Sequence, residues 1–132
     1  AEPGARPALL STDDGLWHAW DTDTGEVWVQ LPDGTPVQLD LPGTFSHSAR
    51  MAATEDGAAV VTMTVDDGIY NALSLTTLTP DGTQSTVALQ TTDAPSIYGV
   101  DVTVIGGTHA VVVWQEGESP AFRLRAEWLT LP

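Results

Sequence analysis

"LPDGT" at residues 31–35 returns as "TPDGT" at residues 79–83, a step of 48 residues from Asp33 to Asp81. Pro-Asp-Gly is turn chemistry: proline presets φ at the first turn position, and glycine supplies the positive φ that completes it. A turn that recurs at long range implies that the segments around it are built alike. Other landmarks keep the same order. "STDDG" (11–15) is answered by "ATEDG" (53–57) and by "VIGGT" (104–108). Gly15 to Gly57 is a step of 42 residues, and Gly57 to Gly107 a step of 50. Three units follow, at about 7–48, 49–98 and 99–132, within a single domain of residues 1–132.

Helical periodicity is missing between these turns. Short β-branched and aromatic runs take its place, such as "AAVVTMTV" (58–65), "HAVVVWQ" (109–115) and "FRLRAEWLTL" (122–131). About eleven such runs, bounded by Asp-Gly, Gly-Gly and Pro-Asp-Gly, predict an all-β domain. They fall into units of four, four and three strands. A period of 40–50 residues with four strands per unit is the pattern of a β-propeller blade. The expected fold is therefore β-propeller-like, about three four-stranded blades with the last incomplete. A β-sandwich is the alternative.

The chain resembles bacterial secreted β-propeller repeat proteins, most clearly in "AVVVWQEGESPAFRLRAEWLTLP" (110–132). "DTDTGEVW" (21–28) is similar to the Asp-box turn of sialidase-type propellers. Asp23, Gly25 and Trp28 match that box, while Asp21 and Val27 stand where it has serine and threonine. The box is a structural fastener, so this resemblance implies a fold and no activity. Sialidase chemistry uses clustered arginines and a tyrosine–glutamate pair. Four scattered arginines, with Tyr70 and Tyr98 beside no glutamate partner, give no catalytic positions to carry over.

Three blades cannot close a ring, since rings use about four to eight. Each blade has two apolar faces, so two faces would stay uncovered, more than a soluble monomer tolerates. The third unit stops at "LTLP" (129–132), before its fourth strand, and would leave an open edge. The expected partner is a second copy in a homo-oligomer, two chains making six blades, or a complementary protein chain.

"LWHAWDTDTGEVWV" (16–29) is read as one hairpin. Strand alternation places Leu16, His18 and Trp20 with Val27, Val29 and Leu31, and sets Trp17 opposite Trp28 on the other face. Those two indoles are packing residues or a stacking platform for a sugar ring. Asp21 and Asp23 have a spacing used by Ca²⁺ loops, but downstream carboxylates other than Glu26 are missing, so no cofactor is expected. Phe45, His47 and Tyr98 lie in "LPGTFSHSA" (41–49) and "TTDAPSIYG" (91–99), read as connectors that face the axis of a ring. With Trp17 and Trp28 they complete the ligand-binding candidates. Ser46-His47-Ser48 is a faint hint of acyl-transfer chemistry. Glu116 and Glu118 flank Gly117 in what reads as a solvated acidic loop, the alternative being a glycosidase carboxylate pair.

Eighteen acidic residues against four arginines and no lysine give a net charge of −14. Such a surface repels nucleic-acid backbones and anionic membranes, so neither partner is expected. There is no cysteine, which excludes disulfides and thiolate chemistry. The lysine-free, Ala/Thr/Val/Asp-rich composition resembles that of high-GC actinobacterial proteins. The opening "AEPGARP" (1–7) reads equally as a mature end left after export or as an arbitrary boundary. Three functions stand side by side. One is a non-enzymatic, extracellular binding and assembly module that forms a propeller with a second chain. Another is a carbohydrate-binding lectin with a glycan partner. The last is a fragment or split piece of a larger propeller, such as that of a hydrolase.

Overall fold

The computed structural model describes residues 5–42, 45–66, 69–89, 97–118 and 120–132. These residues form eleven strands and no helix, in three antiparallel sheets. The first sheet holds β1 (Ala5–Thr12), β2 (Gly15–Asp21), β3 (Val27–Gln30) and β4 (Pro36–Gln38). The second holds β5 (Phe45–Ala53), β6 (Ala58–Asp66), β7 (Ile69–Leu78) and β8 (Gln84–Ala88). The third holds β9 (Ile97–Ile105), β10 (His109–Glu118) and β11 (Ala121–Thr130). Within each sheet every strand pairs with its sequence neighbour, so each sheet is a meander. Three sheets, not the two of a sandwich, divide the chain four, four and three. Among the described residues, no helix is long and apolar enough to cross a membrane.

One turn geometry explains much of this regularity. Leu31 N–H donates to Thr35 O (2.8 Å) and Gly34 N–H to Leu31 O (2.9 Å). Thr79 N–H donates to Thr83 O (3.0 Å) and Gly82 N–H to Thr79 O (2.9 Å). The turn after β2 repeats the pattern, with Thr22 N–H to Glu26 O (2.8 Å) and Gly25 N–H to Thr22 O (3.1 Å). The glycines adopt φ of 93°, 91° and 87° at Gly34, Gly82 and Gly25. Such a turn with a left-handed glycine matches strand twist and fixes the hairpin register.

That register corrects the expected pairing of the tryptophan hairpin. Trp20, not Trp17, stands opposite Trp28, and Ala19 stands opposite Val29. The longer turn moves the pairing by an odd number of residues, and an odd shift exchanges the faces. Trp17 therefore joins Ala19, Val27, Val29 and Leu31 in the core, while His18, Trp20 and Trp28 lie on the opposite face.

The middle sheet is buried on both sides. Its Ala58 and Val60 pack with Trp17, Val29 and Leu31 of the first sheet. The alternate residues Ala59, Val61 and Met63 pack with Val102, Val112 and Trp114 of the third. Strand β6 reads as a continuous apolar and small-residue run because both of its faces are covered. The first strands of the sheets lie closest together, with β5 against both β1 and β9.

Asp33 and Asp81 hold the two Pro-Asp-Gly-Thr turns from outside. The Thr79 hydroxyl, then the Thr83 amide and hydroxyl, lower the Asp81 carboxyl from the ordinary 3.8 to about 2. Asp33 is lowered in the same direction, chiefly by the Thr35 amide. A depressed carboxyl stabilises the fold at pH values above its unfolded pKa, and that contribution fades as pH falls through the folded one. The β7–β8 turn is thus expected to loosen between about pH 4 and pH 2. A carboxyl-carbon NMR titration should place Asp81 near 2 and move it upward in Thr79→Val.

Candidate functional site

Strand β5 does not run straight into its sheet. Its pairing with β6 shifts between His47 and Arg50, a β-bulge. Within the bulge Ser48 takes φ of 60°, the one non-glycine with positive φ among the described residues. A serine there is strained and must be held by its surroundings. The holder is Asp21 at the end of β2, whose Oδ2 accepts the Ser48 N–H at 3.0 Å. The Ser48 hydroxyl shares a hydrogen bond of 2.5 Å with His47 Nδ1. Ser46 and Thr64 hydroxyls bond across the strands at 3.2 Å, and Ser46 N–H donates to Gly25 O at 2.9 Å. Phe45 lies where a Cβ on Gly25 would stand, and its ring meets His47 edge-on at 6.4 Å.

The bulge turns His47 and Arg50 toward the third sheet. There, with Met63, Tyr98, Gly99 and Val100, they line an open cleft of about 470 Å³ between β5 and β9. Tyr98 is 55% exposed and packs edge-on against Phe122 at 5.3 Å. Arg50 donates to Ala49 O at 3.0 Å. Arg123 and Arg125, by contrast, both pair with Glu116. The cleft thus offers a cation, an imidazole, a hydroxyl and an aromatic ring. Such a set can hold a small polar ligand, and apolar Met63 and Val100 give it one greasy wall.

The five candidates separate into two groups. His47 and Tyr98 line this cleft, whereas Phe45 packs on Gly25 and reaches the cleft only through its edge-on contact with His47; all three stand in strands β5 and β9 and not in connectors. The strands begin earlier than the turn residues implied; residues 43–44 and 91–96 of those connectors lie outside the described residues. Trp17 and Trp28 are elsewhere. Trp17 is wholly buried and donates from Nε1 to Thr12 Oγ1 at 3.0 Å, so it presents no indole face to a ligand. Trp28 is half-buried on the outer face of the first sheet, stacked on Trp20 at 6.5 Å and 11°. Its Nε1 donates to Glu26 Oε1 at 3.3 Å.

Asp21 and Asp23 part company as well. Asp21 is buried against Ser48, whereas Asp23 is exposed at the turn tip. Among the described residues no group of three or more His, Asp or Glu side chains is placed to hold a metal ion.

Glu116 overturns its reading as part of a solvated loop. It lies inside β10, fully buried, because β10 runs on through Glu118 before turning. It accepts from Trp114 Nε1 at 3.2 Å and from Arg123 Nε at 3.1 Å, with Arg125 Nη1 at 3.6 Å. A buried carboxylate needs such donors. Replacing Arg123 and Arg125 together by alanine should cost about 3 kcal/mol, the lower end of the range for a broken buried pair because both arginines reach solvent. Urea unfolding reads that loss, and Glu116→Gln should cost less than the double replacement.

Sequence reasoning missed the left-handed backbone of Ser48, Arg50 and the role of Asp21. Nothing local in "SHSAR" signals a left-handed serine. Compared with known proteins, the chain matches no family model, no curated protein and no solved structure.

Proposed function

We propose that the chain is a binding and assembly module of the β-propeller type. Its three sheets act as consecutive blades, and a second chain completes the ring. The supporting observation is the contrast between the middle sheet, covered on both faces, and the end sheets. The outer face of the third sheet exposes Val113, Leu124 and Trp128, and that of the first exposes Leu9 and Leu16. Large apolar side chains exposed together on one sheet face mark an interaction surface. With β1, β5 and β9 innermost, the cleft at His47, Arg50 and Tyr98 opens toward the ring axis and serves as the ligand surface.

Intrinsic fluorescence against dilution tests this reading. Trp128 is 67% exposed in a single chain and becomes covered on assembly. Emission should therefore shift to the red as the protein is diluted, and Trp128→Phe should remove most of the shift. Emission that is independent of concentration, at the position of the exposed indole throughout, contradicts the proposal. A carbohydrate-binding reading draws on the exposed Tyr98 ring beside Arg50 and His47. Binding on a glycan array that Tyr98→Ala removes would favour it, and silence would discard it.

A further inference from the structure

The repeat and the register together say which face meets which. The 42-residue step from Gly15 to Gly57 carries Ala19 onto Val61, and the 50-residue step to Gly107 carries Val61 onto Val111. These three residues pair with Val29, Leu75 and Trp128 in their own sheets. Val29, Leu75 and Trp128 are thus the same position in three units. Inside the chain that position is sealed by the next sheet: Val29 is 0% exposed and Leu75 2%. It opens in the third unit, whose outer face meets no sheet among the described residues. The opposite face obeys the same rule. Gly15 to Gly57 carries Leu16 onto Ala58 and His18 onto Val60, and both residues of the middle unit are fully buried against the preceding sheet. Leu16 is more than half exposed, with no sheet of the described residues packed on its face.

We infer that the outer face of the third sheet, carrying Val113, Leu124 and Trp128, packs on the outer face of the first sheet of a second copy, around Leu9, Leu16 and His18. This rests on the proposed ring and goes on to name its junction. The contact continues the two sheet-on-sheet contacts already present in the chain, first on second and second on third. It is head-to-tail, uses two different surfaces of each copy, and closes when two copies supply both junctions. A face-to-face pair, third sheet on third sheet or first on first, would leave the other end faces bare.

Trp128→Arg and Leu9→Arg test the junction, with the native mass of each read by light scattering. Both positions are largely exposed, so circular dichroism should show the fold intact, and each change lowers the net negative charge, so added repulsion explains no loss. Each variant alone is expected at the mass of one chain, with association weakened at least about tenfold. Their equimolar mixture, run at the highest soluble concentration, regains one good junction and should appear at the mass of two chains. Leu124→Arg and Leu16→Arg should repeat the pattern. A single variant that still pairs like the wild type, or a mixture that stays monomeric, overturns the head-to-tail junction while the wild-type dimer keeps the ring. A wild type that is itself monomeric removes the ring and the junction together.

Discussion

Trp17→Ala is expected to lower stability by about 3–5 kcal/mol, the cost of truncating a fully buried tryptophan. The indole is sealed between the first two sheets among Ala19, Val29, Ala58 and Val60. Removing it leaves a cavity that β-sheet neighbours, pinned by their ladders, close poorly. It also removes the hydrogen bond from the indole N–H to the Thr12 hydroxyl. Trp28→Ala should cost far less, because that ring is half-buried on an outer face and stacks on one neighbour. Chemical denaturation with an unchanged m-value reads both. The comparison separates a core role for Trp17 from the stacking platform that its sequence context permits. A Trp17→Ala protein as stable as the wild type would mean that the hairpin register is wrong.

Gly57→Ala should cost about 3 kcal/mol, at the upper end for a small-to-large change. A Cβ at Gly57 would lie 2.0 Å from the Leu78 carbonyl oxygen and 3.1 Å from Thr79 Cα. Both neighbours are backbone, so neither can swing away. The β5–β6 turn would have to lift off the end of β7, disturbing the hydrogen bond from Thr54 N–H to Gly57 O. The middle sheet carries both internal interfaces, so the damage reaches both sides of the stack. Gly99→Ala is the control: it lies in the cleft, and an added Cβ meets nothing within 4 Å. It should leave the thermal midpoint almost unchanged, while Gly57→Ala lowers it by about 10 °C.

How much of this was legible depended on whether the cause was local. The Pro-Asp-Gly-Thr turns were, because proline, the Asp33 and Asp81 carboxylates and glycine act within five residues of chain. The all-β class and the four-four-three division followed from them. The register of the 16–29 hairpin was not read correctly. "DTDTGE" supports more than one turn length, and only the backbone bonds of Thr22, Gly25 and Glu26 select among them. A single wrong turn length then put Trp17 and Trp20 on the wrong faces of the first sheet, although both are buried. Phe45, His47 and Tyr98 were picked as exposed connector residues; Tyr98 is exposed and shares a cleft with His47, but His47 is buried and Phe45 packs on Gly25 instead. Their partners were hidden, since Ser48 takes its strained backbone from Asp21, which is 27 residues away. The burial of Glu116 came from pairing too: Arg123 stands opposite it in the ladder, a relation that charge counting along the chain does not express.

The measurement that bears most directly on the central claim is the native mass of the wild-type protein by light scattering after size exclusion, across a range of concentrations and salt. The end faces require covering, so the mass should be that of two chains. Salt should strengthen the pair, because it screens two copies that each carry a charge of −14. A mass of one chain at every concentration would contradict the claim, and the exposed faces around Leu9 and Trp128 would then have to be tolerated by a free three-sheet stack.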